Sequence, residues 1–430
     1  MRSANILAAL MLAATPALIA QATAAPVAVV NGTVHTMGAA GIVDNGTVVF
    51  DQGRIVAVGA GIAAPAGATV IDAQGAPVTP GLMNSFTRLG LVEIEQIRQT
   101  DDSDARDAAF SAAFDPTPGL LPDSLNVQVT RVKGVTRAVT APDFGKTMFA
   151  GLGAVLSLGD GEAFTVRPKV AMFAALGETG KRLAGGSRGA AVGFLRQALD
   201  DARYYARNRA DFDDNRARAT VLPRADLEAL VPVAEGKLPL VIDVRRASDI
   251  QVVLALAAEQ KLRVILVGAQ EGWQVAGEIA AAQVPVIIDP SNNLPSRFES
   301  MGATLENAAR LHAAGVKLLF MAGSDQMVNN ARNVRQMAGI AVAYGLPHDA
   351  ALAALTVNPA AVWGLADRYG TLEPGKDADV VVWDGDPLEV TAAPTHVFVM
   401  GDEVNLVTRQ TRLRDRYRSL APAAAPNGYR

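Results

Sequence analysis

Four histidines, His35, His312, His348 and His396, and no cysteine make up the entire stock of imidazole and thiol side chains in 430 residues. Thiolate zinc sites and disulfides are therefore excluded, and a metal centre would have to be built from imidazoles and carboxylates. His35 and His396 fall in strand-like segments, His312 inside a helical one and His348 beside Pro347 at a helix start; each reads as a surface or structural histidine. Nucleophile chemistry has no better start. No G-x-S-x-G elbow occurs, and Gly186-Ser187-Arg188-Gly189 lacks the strand and turn that such an elbow needs. Gly151-Leu152-Gly153 lacks a dinucleotide fingerprint and reads as close-packing or turn glycines. The 43 acidic and 39 basic residues, net charge -4, are mixed along the chain without a basic stripe, which excludes a phosphate backbone as partner.

The elements around these residues fall into three kinds. At the start, a charged Met1-Arg2, an apolar run over 6–20 and Ala22-Thr23-Ala24 have the layout of a secretory signal peptide cleaved after Ala24. The run is shorter than the roughly 20 residues that span a bilayer and contains Pro16, so a soluble exported protein is expected rather than an anchored one. From 27 to 79, short alternating strands are punctuated by Asn31-Gly32, Asn45-Gly46 and Gln52-Gly53, read as hairpin turns. The same grammar returns at 378–383 and 396–400, and neither piece alone buries two faces; a small β-sandwich made from both ends of the chain follows. Between them, apolar runs at 241–244, 264–267, 286–288 and 318–322 alternate with helical stretches at 248–260, 273–282 and 305–314. Repeated strand then helix means parallel strands, here closing as a TIM-like (β/α)8 barrel. The expected layout is signal peptide 1–24, first sandwich part 25–80, barrel 81–366, second sandwich part 367–412 and tail 413–430. Two polar stretches, 93–122 and 200–224, interrupt the rhythm as excursions at the barrel rim or solvated helix; a protein-binding surface on 93–122 is the lesser alternative.

Two stretches carry a more specific likeness. Ala76-Pro77-Val78-Thr79-Pro80-Gly81-Leu82 resembles the entry into the first barrel strand of the amidohydrolase superfamily, near its imidazolonepropionase-like and dipeptidase-like members. The run over 354–365 and Gly370-Thr371-Leu372-Glu373-Pro374-Gly375-Lys376-Asp377-Ala378-Asp379 resembles the family's final helix and its return into the small sandwich, and Gly323-Ser324-Asp325 follows a strand as it does there. The resemblance covers nearly the whole chain after the leader. It implies hydrolysis of a C–N bond in a cyclic amide or dipeptide by water on one or two divalent ions, zinc or another, held by a His-x-His pair, a carboxylated Lys, two further His and an Asp. Such a metal lowers the pKa of its bound water towards neutrality.

Against that pattern the chain departs at nearly every ligand. The His-x-His positions hold Phe86 and Arg88; the lysine position is best aligned with Phe173, with Lys169 available only by shifting the register. The two later histidine positions fall in segments carrying Asp243 and Arg245, and Gln270 and Glu271; Asp325 alone matches. No histidine sits at the C-terminal end of a barrel strand. The expectation is a chain without the catalytic metal and with no cofactor, inert and acting as a small-ligand-binding or partner subunit, alone as a homo-oligomer or beside an active relative. An active hydrolase with a carboxylate-based centre is the alternative. Arg88 is expected to pair with Asp325 and with Asp243, either balancing an inherited charge or binding a carboxylate through its planar fork. Asp243, Glu271 and Asp325 are readable as acid/base groups or an all-oxygen cation site, but Arg88 and Arg245 beside them favour ion pairs.

Overall fold

The computed structural model describes residues 25–160, 164–322 and 328–418. The leader read at 1–24 and Asp325, the position matched to the family's Asp, lie outside the described residues, as does the end of the tail.

Five strands precede the barrel: β1 (Val27–His35), β2 (Ile42–Asp51), β3 (Arg54–Ala60), β4 (Thr69–Asp72) and β5 (Pro77–Pro80). They join three from the other end, β14 (Val380–Trp383), β15 (Pro394–Val399) and β16 (Asp402–Glu403), in the order β16-β15-β14-β5-β1-β2-β3, with β4 also on β1. The hydrogen bonds thus make a single branched sheet where two facing sheets were expected. Its inner residues, among them Val29, Val48, Phe50, Val78, Val380 and Phe398, form a core separate from that of the barrel.

Of the three expected hairpin turns only one is a turn. Gln52 and Gly53, with φ of 48° and 76°, connect β2 to β3 in the left-handed geometry a two-residue hairpin requires. Asn31-Gly32 and Asn45-Gly46 instead lie inside β1 and β2, where Gly32 pairs with Gly46 and the register shifts on both sides. Both asparagines have positive φ, so the two dipeptides form facing irregularities of one ladder.

The second sheet has the order β13-β12-β11-β10-β9-β8-β7-β6, and β13 returns beside β6 so that it nearly closes as a barrel. Its strands are β6 (Leu82–Thr87), β7 (Val135–Thr140), β8 (Phe149–Ser157), β9 (Thr165–Ala175), β10 (Leu240–Val244), β11 (Val264–Gly268), β12 (Val286–Ile288) and β13 (Leu318–Phe320). Strict parallel alternation fails at one place: β8 runs antiparallel to both neighbours, so β7, β8 and β9 form a meander with no crossover helix. The apolar strand 149–157 is buried throughout and 165–175 is buried from Val170 onward, so they need no helix between them to stay in register. At the seam, the amide of Met83 bonds to Leu355 O (2.8 Å) and that of Phe320 to Ala354 O (3.3 Å), so the segment that resembles the family's final helix spans β6 and β13.

Alternation along the strands sorts the barrel side chains. Val241, Ile265, Ile287 and Leu319 point inward with Met83, Ala171 and Phe173; Leu240, Ile242, Leu266, Val286 and Leu318 point outward under the helices. The outer layer includes helices Arg188–Arg207, Arg224–Ala234, Ala247–Gln260, Asn307–Ala313 and Val334–Ala343. Among the described residues no helix is long and apolar enough to cross a membrane.

Both excursions are pinned. Asp226 accepts bonds from the amides of Ser111 (2.9 Å) and Ala113 (2.8 Å), and Arg98 and Arg106 both clamp Asp104. In the second, the Asp–Arg alternation resolves into ion pairs, such as Arg218 with Asp201 and Arg216 with Asp214, both at 2.7 Å, and into stacking: Arg218 covers the Tyr204 ring at 4.4 Å and Arg209 that of Tyr205 at 5.0 Å.

Candidate functional site

The C-terminal ends of the parallel barrel strands form the mouth, where a barrel of this type carries its chemistry. Phe86, near the end of β6, and Phe173, on β9, meet there with ring centroids 5.8 Å apart and planes tilted by 55°, a favourable aromatic geometry. Gly153 on β8 makes the room, since a methyl group in its place would overlap the Phe173 ring. Lys169, the register-shifted alternative, lies four residues earlier on the same strand, 61% exposed and 3.7 Å from Asp115. The rings at 86 and 173 offer no lone pair and Arg88 brings a fixed positive charge, so these positions do not fit the family's metal. Among the described residues no group of three or more His, Asp or Glu is arranged to hold an ion.

Arg88 follows β6 directly. Its guanidinium is 3.5 Å from Glu95 Oε2, 3.7 Å from Asp143 Oδ2 and 3.5 Å from Ser103 Oγ, and its side chain is 12% exposed. Glu95 and Ser103 belong to the 93–122 excursion, and Glu95 also accepts the amide of Val328, so this excursion folds over the mouth. The expected pairing of Arg88 with Asp325 falls outside the described residues; the described partners are Glu95 and Asp143.

A second group surrounds the end of β10. Arg245 lies 3.4 Å from Asp243 Oδ2 and 3.4 Å from Glu299 Oε1. Glu299 is buried; its second oxygen accepts the Glu178 amide at 2.7 Å and lies 3.7 Å from Arg188. Burial raises its carboxyl above the ordinary range, against the opposing pull of that amide and of Arg245. Arg188 and Arg246 share Asp249 at 2.8 and 2.9 Å.

Glu271 has a different occupation. Its carboxylate accepts the amide of Ala247, at the start of helix Ala247–Gln260, at 3.1 Å, and that of Gly302 at 2.8 Å. An acid on the first turn of a helix complements its dipole, so this carboxylate ties two loops to a helix end.

The structure thus brings Asp243 and Arg245 together, sets Arg88 with Glu95 of the excursion and Asp143 after β7, and commits Glu271 to backbone amides. Four mouth acids escaped the sequence reading: Glu95, Asp143, Asp289 and Glu299. Asp289 is buried directly after β12 and accepts the Ser291 amide and hydroxyl. An acid immediately after an apolar barrel strand is a signal that could have found it; Glu299 sits in a loop and leaves no such trace.

None of the four histidines reaches the mouth. His348 Nε2 is 3.0 Å from Asp386 and its ring 6.5 Å from that of His35, while His396 pairs with Glu403. His312 lies on helix Asn307–Ala313.

At the opposite end, Arg137 on β7 is 1% exposed and grips Asp379 through Nε at 2.7 Å and Nη2 at 3.0 Å, with Asp377 at 3.3 Å. Arg54 and Arg368 complete Asp377 at 2.7 and 3.1 Å. The Lys376-Asp377-Ala378-Asp379 run therefore owes its acids to joining sheet and barrel.

A profile of the amidohydrolase family matches residues 256–408. The amidohydrolase tasK of Hapsidospora irregularis is 26% identical over 399 residues, covering 83% of this chain and 39% of that relative, so the chain spans well under half the relative's length. An amidohydrolase structure from Thermotoga maritima MSB8 aligns with a TM-score of 0.79 at 25% identity over 88% of this chain and 99% of its own. Molinate hydrolase aligns with a TM-score of 0.54 at 20% identity over 89% and 95%, a likeness of fold. Together these likenesses support the amidohydrolase superfamily for this chain, with a mixed α/β fold of a nearly closed eight-stranded barrel and a separate sheet.

Proposed function

We propose that this chain is an amidohydrolase-type barrel that has given up the metal-water mechanism and uses its mouth to bind a small molecule or to support an active partner. The observation that carries this reading is the contact of Phe86 with Phe173. Two side chains standing where the family resemblance calls for a histidine and a lysine have become one hydrophobic contact, and Arg88 beside them opposes a cation electrostatically. The retained scaffold, with its excursion folded over the mouth, favours a ligand of the family's class, a cyclic amide or a dipeptide. Export with removal of the leader near Ala24 belongs to the same proposal.

Buried Glu299 supports a second reading, a hydrolase with a carboxylate-based centre. A carboxyl raised by burial, joined through Arg245 to Asp243, is the kind of pair whose members take acid and base roles.

The test is metal content and turnover measured on the same preparation. Mature protein purified without chelators is expected to hold less than about a tenth of an equivalent of any transition metal by mass spectrometry. A near-stoichiometric transition metal overturns the first reading; metal-free hydrolysis of dipeptides or cyclic amides that is lost in Glu299→Gln establishes the second.

A further inference from the structure

We propose that the ends of β10 and β11 form a recognition site for a protonated amine, with Asp243 and Gln270 as its acceptors; this deepens the ligand-binding reading above and rests on it. Asp243 turns one oxygen, Oδ2, to Arg245. Its other oxygen, Oδ1, faces Gly268, the last residue of β11. Gln270 is 5% exposed, and its Oε1 is buried without a hydrogen-bond partner. A Cβ built on Gly268 would stand 3.2 Å from Asp243 Oδ1, 3.3 Å from Gln270 Oε1 and 3.4 Å from Val244 O. Three acceptor oxygens therefore converge over a residue that has no side chain to fill the space between them.

The backbone is bent to produce this arrangement. Gly268 and Ala269 have φ of 94° and 41° in succession, and Ala269 is one of twelve non-glycine residues with positive φ among the described residues. The turn is locked by the Ala269 amide on Val244 O at 2.8 Å, and it brings Gln270 back over the strand end. An unmatched buried carbonyl oxygen beside a carboxylate is costly unless a donor arrives, and the donor that matches several convergent acceptors, one of them anionic, is an ammonium group. Neighbouring charges leave that choice to Asp243, because Arg188 and Arg246 are engaged by Asp249 and Arg245 is shared with Glu299.

Calorimetric titration of the full mature chain at neutral pH with L-alanyl-L-alanine, its N-acetyl derivative and the neutral cyclic amide dihydrouracil tests this. The free amine is expected to bind at least about tenfold more tightly than the acetylated dipeptide, the worth of one charge-assisted bond. Asp243→Asn and Gln270→Leu should each weaken the free dipeptide by about tenfold and leave the acetylated one unchanged. Gln270→Leu should also melt higher than the parent, since it removes a buried oxygen without a donor. Gln270→Glu separates recognition from a merely structural amide: an acceptor role preserves or tightens amine binding, whereas an amide that only donates to Asp243 gives a variant that melts lower and binds no better. Equal affinity for both dipeptides, or binding of dihydrouracil alone, overturns the amine site while the ligand-binding reading stands. Silence of all three probes overturns the amine site and withdraws support from a dipeptide or cyclic-amide ligand as well.

Discussion

The two ends of the barrel handle buried charge in opposite ways. At the end facing the separate sheet, Arg137 is held at 2.7–3.0 Å by Asp379, with Asp377 at 3.3 Å shared among three arginines. At the mouth, the described ion pairs of Arg88 and Arg245 are longer, 3.4–3.7 Å, and each arginine has two acids among its described partners. Close bidentate geometry fixes one arrangement, while long, shared contacts leave several of similar energy. The first end is built for a permanent joint; the second holds its described charges in looser pairs.

Asp379→Ala should have the largest effect, costing about 3–5 kcal/mol in denaturant unfolding because it strands a fully buried guanidinium. If it costs no more than a surface pair, the contrast between the ends collapses. Arg245→Met should cost less, roughly 1–3 kcal/mol, since Glu299 keeps the Glu178 amide and protonates when its cation is gone. An equal or larger loss than Asp379→Ala would make the mouth as rigid a joint as the base.

The Glu299 carboxyl sharpens the comparison through pH. Its folded value is raised above the ordinary 4.5, so its contribution is complete below 4.5 and is lost as pH rises through the raised value. Melting temperature should therefore fall across that window in the parent, and Glu299→Gln should lack this slope. The smallest expected effect lies outside both ends. Burial, and then the charge of His348, lower His35 below 6.5, so its contribution is present above 6.5 and fades as pH falls through the lowered value. An NMR titration giving His35 an ordinary midpoint would remove that contribution without touching the barrel.

Strand positions were legible because apolar runs carry their own signal. The run read at 286–288 is β12, and those read at 241–244 and 264–267 each gained one residue. Strand direction was not legible: nothing in the apolar residues of β8 distinguishes an antiparallel strand from a parallel one buried on both faces. The dipeptides Asn31-Gly32 and Asn45-Gly46 misled for a related reason, since left-handed φ serves a hairpin turn and a strand irregularity equally, and only pairing across the sheet decides. At the site, the family resemblance singled out Phe86 and Phe173, whose rings meet at the mouth. It could not show that Glu271 serves backbone amides, because a helix start and a loop far apart in sequence supply them.

The seam has a consequence in time. One edge of β6 bonds to the carbonyl of Leu355, a residue made long after β6 itself. During synthesis that edge must wait through the making of seven more barrel strands and, among the described residues, ten α-helices. An open, apolar strand edge invites pairing with other chains, so the barrel is most exposed to misassembly until its last segment arrives. Shortening the chain before residue 354 should therefore produce aggregates rather than a smaller folded protein, whatever becomes of the ligand.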